Sequence, residues 1–145
     1  MLLIRGAKVL TVSNGTLDPG DILIDKGKIV EVSPHIPAPD GAQIVGTAGK
    51  WAMPGLIDCH THLGLDETYA WDGVNELNEI GDPVTPALRC ADGLNTDDPA
   101  FHEALSRGIT AVISHTGSIQ LLSGQSAAFK LVPGGPAEKA LINPC

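Results

Sequence analysis

The most informative stretch of the sequence has ten residues, Met53-Pro54-Gly55-Leu56-Ile57-Asp58-Cys59-His60-Thr61-His62. Its apolar part is typical of a strand, and its end carries two histidines at positions i and i+2. Side chains two residues apart in an extended chain point to the same side, so we expect His60 and His62 to face one way. Two neutral imidazoles on one face can hold a divalent ion through nitrogens about 2.0–2.1 Å from it. The spacing predicts a metal-binding pair, with a pair of ordinary loop histidines as the alternative.

The residues after this stretch predict a parallel βαβ unit. Asp98-Pro99 offers an N-cap followed by proline at the first helical position, and Gly108 ends the helix. Residues 109–113 then form a β-branched strand. A strand, a helix and a second strand in this order pair in parallel through a right-handed crossover. The connection over residues 64–97 is too long for a plain loop, so we expect it to be functional or to contain short helical turns.

The first 45 residues have a different pattern, in which short apolar runs typical of β-strands alternate with turn signals. The runs are Leu2–Ile4, Val9–Val12, Ile22–Ile24 and Ile29–Val32, and the turn signals lie at 13–15, 18–20, 26–28 and 33–34. This pattern predicts a small antiparallel sheet, with Asp25-Lys26-Gly27-Lys28 as a hairpin turn.

The composition excludes several classes of protein. The 145 residues contain 9 Lys+Arg and 17 Asp+Glu, a net charge of −8, which argues against nucleic-acid binding because phosphate contacts need a cationic excess. Hydrophobic residues at 43% and charged residues at 18% are typical of a globular protein. We expect no membrane partner and a cytoplasmic location, since no membrane span or signal peptide is recognisable. Three cysteines, Cys59, Cys90 and Cys145, fit reduced thiols better than a disulfide framework.

The stretch Met53–His62 resembles the opening metal motif of the amidohydrolase superfamily. Three further segments are similar to parts of that family: Gly27-Lys28-Ile29 in its N-terminal sheet, Gly108-Ile109-Thr110-Ala111-Val112 after its first barrel helix, and Gly124-Gln125 with Lys130 in its imidazolonepropionase-like and dihydroorotase-like branches. The resemblance covers about residues 1–131.

The resemblance implies an α/β fold with an N-terminal β-sheet. Residues 1–50 would be the N-terminal part of a composite β-sandwich, and residues 51–131 the first βα units of an incomplete (β/α)8 barrel of the TIM type. Residues 132–145 match nothing in the family and are expected to be a loop-like tail. The family hydrolyses C–N bonds with one or two metal ions. The resemblance therefore implies a hydrolase, a small-molecule amide or cyclic amide substrate, and a divalent metal cofactor with Zn²⁺ the expected ion.

Three residues match functional positions of the family, and a fourth is a candidate because of its place at the end of a strand. His60 and His62 match the first two metal ligands. Asp58 matches an acidic position, where a carboxylate near metal-bound imidazoles would orient and polarise them, with direct binding of the ion as the alternative. His115 ends the second barrel-type strand, at the face where barrel enzymes bind substrate, and is a candidate substrate contact. The alternative for His115 is an ordinary, partly exposed loop histidine.

A complete barrel needs about 250 residues, so this chain has no sequence for the remaining ligands of the family. Two hypotheses stay open. In the first, the chain is the N-terminal portion of a metal-dependent amidohydrolase, inactive alone and completed by homo-oligomer formation or by a missing C-terminal part. In the second, it is a non-catalytic truncated remnant or an assembly module, whose unpaired strand edges another chain covers.

Overall fold

The computed structural model describes residues 1–66 and 77–143. Its contacts divide the chain into two compact units, Met1–Pro54 and Gly55–Cys145. The strands of the first unit are β1 (Leu2–Leu10), β2 (Thr16–Asp25), β3 (Lys28–Ser33), β4 (Gln43–Gly46) and β5 (Trp51–Ala52). The elements of the second unit are β6 (Leu56–Thr61), α1 (Ala100–Ser106), β7 (Ile109–Ser114), β8 (Ala127–Lys130), α2 (Ala137–Ala140) and β9 (Leu141–Asn143). The described residues form a mixed α/β structure in which sheet predominates.

The sheet of the first unit has the order β3-β2-β1-β4, and β5 also pairs with β1. The three strands β1, β2 and β3 are antiparallel neighbours, which confirms the predicted hairpin turn between Asp25 and Lys28. The expectation of a wholly antiparallel sheet is wrong, because β4 and β5 run parallel to β1. Residues 34–42 carry the chain from β3 to the far edge of the sheet, and a crossover of this kind permits parallel pairing.

The turn predicted at Asp18-Pro19-Gly20 lies instead inside β2. The pairing of β1 with β2 explains this, because the pairs Ala7↔Gly20 and Val9↔Leu17 enclose one more residue on β2 than on β1. A β-bulge absorbs such an extra residue and lets a strand continue past a proline. The residues that signalled a turn therefore mark a bulge.

The second unit contains the predicted βαβ arrangement, with β6 and β7 parallel and α1 between them in the chain. Its sheet has the order β6-β7-β8-β9, in which β8 and β9 are antiparallel additions. The side-chain Oδ1 of Asp98 accepts the N–H of Ala100 at 2.9 Å, as expected of a capping residue. The N–H of Gly108, at φ 87°, donates to the Leu105 carbonyl and ends the helix.

The core of the second unit lies between α1 and the sheet. Its two largest members are Phe101 on α1 and Phe129 on β8, and both are fully buried. Six smaller buried residues complete the cluster: Leu65, Cys90, Val112, Ala127, Leu131 and Ala140. This packing fixes the position of β7, and with it the residues at the strand's carboxyl end.

The end of the described chain is not the loop-like tail expected for residues 132–145. It contains α2 and β9, and β9 pairs with β8. Ala140 is fully buried and Leu141 packs against the core, so the apolar run at 140–142 gives this segment a reason to fold back. Cys145 lies outside the described residues.

The long connection predicted to hold short helical turns contains one 3₁₀ helix, Cys90–Asp92, in its described part. Residues 67–76 of this connection lie outside the described residues. None of the helices in residues 1–66 and 77–143 is long and apolar enough to cross a membrane.

Candidate metal site

Three imidazoles meet where the parallel strands β6 and β7 end. His60 is the penultimate residue of β6, His62 follows the strand, and His115 follows β7. The N–H of His115 donates to the Thr61 carbonyl at 2.9 Å, which continues the pairing of the two strands. The ring centroid of His60 lies 5.8 Å from that of His62 and 4.7 Å from that of His115, the second pair being stacked. The structure thus brings the three predicted histidines together.

The tautomer of His62 follows from its neighbour. Its Nδ1 lies 2.7 Å from the backbone carbonyl oxygen of His115, and a carbonyl can only accept a hydrogen bond. Nδ1 therefore carries the proton, and the lone pair of neutral His62 is on Nε2. Metal-binding histidines are commonly held in this way, with the other ring nitrogen donating to a carbonyl or carboxylate.

Both ring nitrogens of His115 are engaged. Its Nε2 lies 3.1 Å from the Cys59 carbonyl oxygen and must donate to it. Its Nδ1 lies 2.6 Å from the hydroxyl of Ser126, which donates in return when the ring is neutral. These contacts hold the ring of His115 against that of His60. The substrate contact expected of it stays a prediction.

The carboxylate of Asp58 forms a hydrogen bond with the backbone. Its Oδ1 accepts the backbone N–H of His60 at 3.0 Å. This bond fixes the backbone near the carboxyl end of β6. The contact with an imidazole ring expected of Asp58 stays a prediction. Cys59, between these two residues, has an exposed side chain and contributes its carbonyl to His115.

The separation of the His60 and His62 rings is close to that of two ligands of one ion. Two imidazoles that share an ion through bonds of 2.0–2.1 Å have ring centroids about 5.2 Å apart at a tetrahedral angle and about 6.4 Å apart at a linear one, and the observed 5.8 Å lies between these values. No group of three or more His, Cys, Asp or Glu side chains is placed to hold a metal ion within residues 1–66 and 77–143. The described residues thus offer two candidate ligands, His60 and His62, whose binding of a metal stays a prediction.

The contact of Ser126 with His115 was not predicted from the sequence. It lies next to the Gly124-Gln125 pair, and the register Ser114↔Ala127 places it opposite His115 across the β7–β8 pair. The available signal was the second apolar run after β7, which predicts a returning antiparallel strand and therefore a partner for the residue that follows β7.

No family model matches this chain. The crystal structure of an amidohydrolase from Thermotoga maritima MSB8 aligns with a TM-score of 0.86 and 34% identity, over 99% of this chain and 37% of that one. Amidohydrolase tasK of Hapsidospora irregularis is 31% identical over 118 residues, which are 79% of this chain and 12% of that protein. The dihydroorotase of Carboxydothermus hydrogenoformans is 44% identical over 62 residues, 43% of this chain and 14% of that enzyme. This chain belongs to the amidohydrolase superfamily.

The resemblance inferred from Met53–His62 is therefore confirmed at the level of the amidohydrolase superfamily. The chain spans about an eighth of the tasK relative and little more than a third of the Thermotoga structure. The roles of His60, His62, Asp58 and His115 within this amidohydrolase-superfamily chain stay predictions.

Proposed function

We propose that this chain carries part of the active site of a metal-dependent hydrolase that cleaves C–N bonds of amides or cyclic amides. His60 and His62 are two ligands of a divalent cation, with Zn²⁺ the expected ion. The observation that carries the proposal is the pair of imidazoles 5.8 Å apart at the carboxyl end of β6, a strand that pairs in parallel with β7. That end of a parallel βα arrangement is where barrel enzymes place their catalytic groups.

The residues of the chain prepare this site before any ion binds. Because Nδ1 of His62 donates to the His115 carbonyl, its Nε2 is left available as a metal ligand. Ser126 and the Cys59 carbonyl fix the imidazole ring of His115, which stacks on His60. Asp58 holds the backbone at His60. A cation held there supplies Lewis acidity toward a substrate carbonyl and toward a water molecule.

We further propose that the first unit is part of a composite β-sandwich and that β6, α1 and β7 are the first βα unit of a TIM-type barrel. β6 is an edge strand whose Leu56 and Ile57 are 48% and 68% exposed. An exposed apolar edge of this kind favours pairing with another strand. A missing C-terminal part or a second copy of the chain would supply that strand.

The chain alone is expected to be inactive as a hydrolase. Catalytic zinc sites usually have three protein ligands and a water, and the described residues supply two. The second candidate function is a non-catalytic remnant or assembly module. It is favoured by the same two-ligand set if no other chain segment supplies a third ligand.

A zinc competition titration combined with an amide hydrolysis assay tests the proposal. We expect the purified protein to bind Zn²⁺ weakly, and His60→Ala and His62→Ala to lower that affinity at least about tenfold. His102→Ala is the matched control, because His102 is an exposed histidine on α1. Zinc affinity that is equal in all three variants would show that the pair is not a metal site. Zinc binding without turnover of hydantoin is expected of the chain alone, and turnover lost in His60→Ala would show that it is catalytically complete.

A further inference from the structure

The turn between β1 and β2 contains the dipeptide Asn14-Gly15. Of the five asparagines in the sequence, at positions 14, 75, 78, 95 and 143, Asn14 alone is followed by glycine. Both residues of the dipeptide are exposed to solvent. Gly15 has φ 79°, and a Cβ placed on it would meet no atom within 4 Å. The backbone nitrogen that joins Gly15 to Asn14 is therefore accessible to water and is not shielded by a side chain.

Neither the side-chain amide of Asn14 nor the N–H of Gly15 is held by a hydrogen bond within the part of the chain that the structure describes. Other asparagines have different surroundings. The Oδ1 of Asn95 accepts the N–H of Asp97 at 2.9 Å, and the Oδ1 of Asn78 is buried. Asn14 thus combines an unrestrained side-chain amide with an unhindered backbone nitrogen next to it.

The backbone of the turn is held by Thr11. The Thr11 hydroxyl accepts the N–H of Asn14 at 2.9 Å and donates to the Gly15 carbonyl at 2.9 Å. The N–H of Thr11 donates to the same carbonyl at 3.1 Å. These bonds enclose Val12, whose φ of 69° is a conformation that β-branched residues rarely adopt. The turn therefore depends on the length of backbone between the N–H of Asn14 and the carbonyl of Gly15.

We propose that Asn14 is a site of spontaneous covalent modification, in which its side-chain amide is converted to a carboxylate through a cyclic succinimide. The backbone nitrogen of Gly15 gives its proton to a solvent base and attacks Cγ of Asn14. The new N–Cγ bond closes a five-membered ring, the bond from Cγ to the side-chain nitrogen breaks, and that nitrogen takes a proton from water and leaves as ammonia. Water then adds across either of the two C–N bonds of the ring, which gives aspartate or isoaspartate. No oxidant or reductant takes part.

The two products differ in their effect on the turn. Aspartate leaves the backbone unchanged and adds one negative charge beside an apolar groove of about 780 Å³, whose wall includes Asn14, Leu10 and Leu17. Isoaspartate adds the same charge and also lengthens the backbone by one carbon between the two groups that Thr11 holds. The turn is therefore expected to open in the isoaspartyl form and to persist in the aspartyl form. This modification is independent of the proposed metal site, which lies in the second unit.

Ageing of the full chain at pH 8 and at pH 6, followed by tryptic peptide mapping with mass spectrometry, tests the assignment. Trypsin releases peptide 9–26, in which Asn14 is the only asparagine, and peptide 90–107, in which Asn95 is the only one. We expect peptide 9–26 to gain one mass unit with time, faster at pH 8 because the attacking nitrogen must lose its proton. The product should separate into two chromatographic peaks of equal mass, aspartyl and isoaspartyl, while peptide 90–107 keeps its mass.

Asn14→Gln is the matched control, because its longer side chain would have to close a six-membered ring, and its peptide 9–26 should keep its mass. Hydrogen exchange tests the effect on the turn. The isoaspartyl form should lose protection at the Thr11 and Asn14 amides, and Thr11→Val should lose it at Asn14 without any change in the mass of that residue.

Three results would overturn the assignment. The first is a peptide 9–26 that keeps its mass in the aged folded chain while the same peptide, isolated, loses ammonia under the same conditions. The second is formation of aspartate without isoaspartate, because a succinimide opens to both. The third is conversion of Asn95 as fast as Asn14, because the exposed and unrestrained surroundings of Asn14 would then have no effect.

Discussion

The most informative test of the first unit is the replacement of Asp21, a buried carboxylate on β2. Its side chain is 3% exposed, and it accepts the N–H of Gly6 at 2.9 Å and the N–H of Ile36 at 3.0 Å. Gly6 lies where the register of β1 shifts, with φ 77°, so its N–H is free of the strand pairing and turns to Asp21. Arg5 adds a charge at 3.6 Å.

Asp21→Ala leaves both backbone donors and the Arg5 charge without their partner. Each hydrogen bond to a charged group contributes about 1.5–3 kcal/mol, and breaking a buried charged contact costs about 3–5 kcal/mol. We expect the free energy of unfolding to fall by about 3–5 kcal/mol in Asp21→Ala. Asp21→Asn, which keeps one acceptor oxygen, is expected to cost about half as much.

The same carboxylate predicts a pH dependence. Burial alone would raise the pKa of Asp21, but the Ile36 and Gly6 N–H groups, with Arg5 and His35, outweigh it and hold that pKa below the usual value. The unfolded chain binds the proton more readily, so this stabilisation is present above the ordinary carboxyl pKa of 3.8 and is lost as the pH falls through the lowered folded-state pKa. Asp21→Asn should lack this acid-dependent part.

Urea unfolding followed by circular dichroism, with hydrogen exchange at the Gly6 and Ile36 amides, measures the effect. Asp18→Ala is the control, because Asp18 on the same strand is 61% exposed and its contact with Lys8 at 3.3 Å is worth about 1 kcal/mol at most. If Asp21→Ala loses no more stability than Asp18→Ala, and the two amides keep their protection, the contribution assigned to the buried carboxylate is refuted.

Three further predictions concern the second unit. Phe129→Ala, at a fully buried position, should lower the free energy of unfolding by about 3–5 kcal/mol in urea titrations, and an effect below about 1 kcal/mol would contradict the assigned core. Iodoacetamide should alkylate exposed Cys59 much faster than Cys90 at pH 8, because burial shields Cys90 and raises its pKa; equal rates by peptide mapping would argue against this burial. Ser126→Ala should weaken zinc binding up to about tenfold by releasing the His115 ring, whereas Ser126→Thr retains the hydroxyl and should bind zinc as the unchanged protein does. Equal zinc affinities of Ser126→Ala and Ser126→Thr would show that the contact with His115 does not support the site.

Features set by neighbouring residues were predictable from the sequence. The cap of α1 at Asp98 and its end at Gly108 follow from local hydrogen bonding, and the His60–His62 spacing follows from the two-residue period of a strand. The parallel pairing of β6 with β7 follows from the strand–helix–strand order of the sequence.

Features that depend on distant partners were not predictable in the same way. The parallel pairing of β4 with β1 and the bulge that carries β2 past Pro19 depend on which strands meet. The contact of Ser126 with His115 depends on the register of β7 and β8, and Asp21 is buried only because Gly6 and Ile36 bring donors to it. Composition and periodicity do not indicate which distant residues come into contact.

X-ray absorption at the zinc edge shows whether His60 and His62 bind the same metal ion. The zinc-loaded protein should show scattering from at least two imidazole rings, with nitrogens about 2.0–2.1 Å from the metal. That imidazole signal should disappear in the double variant His60→Ala, His62→Ala and persist in His102→Ala. A spectrum without imidazole scattering, or one unchanged in the double variant, would contradict the account.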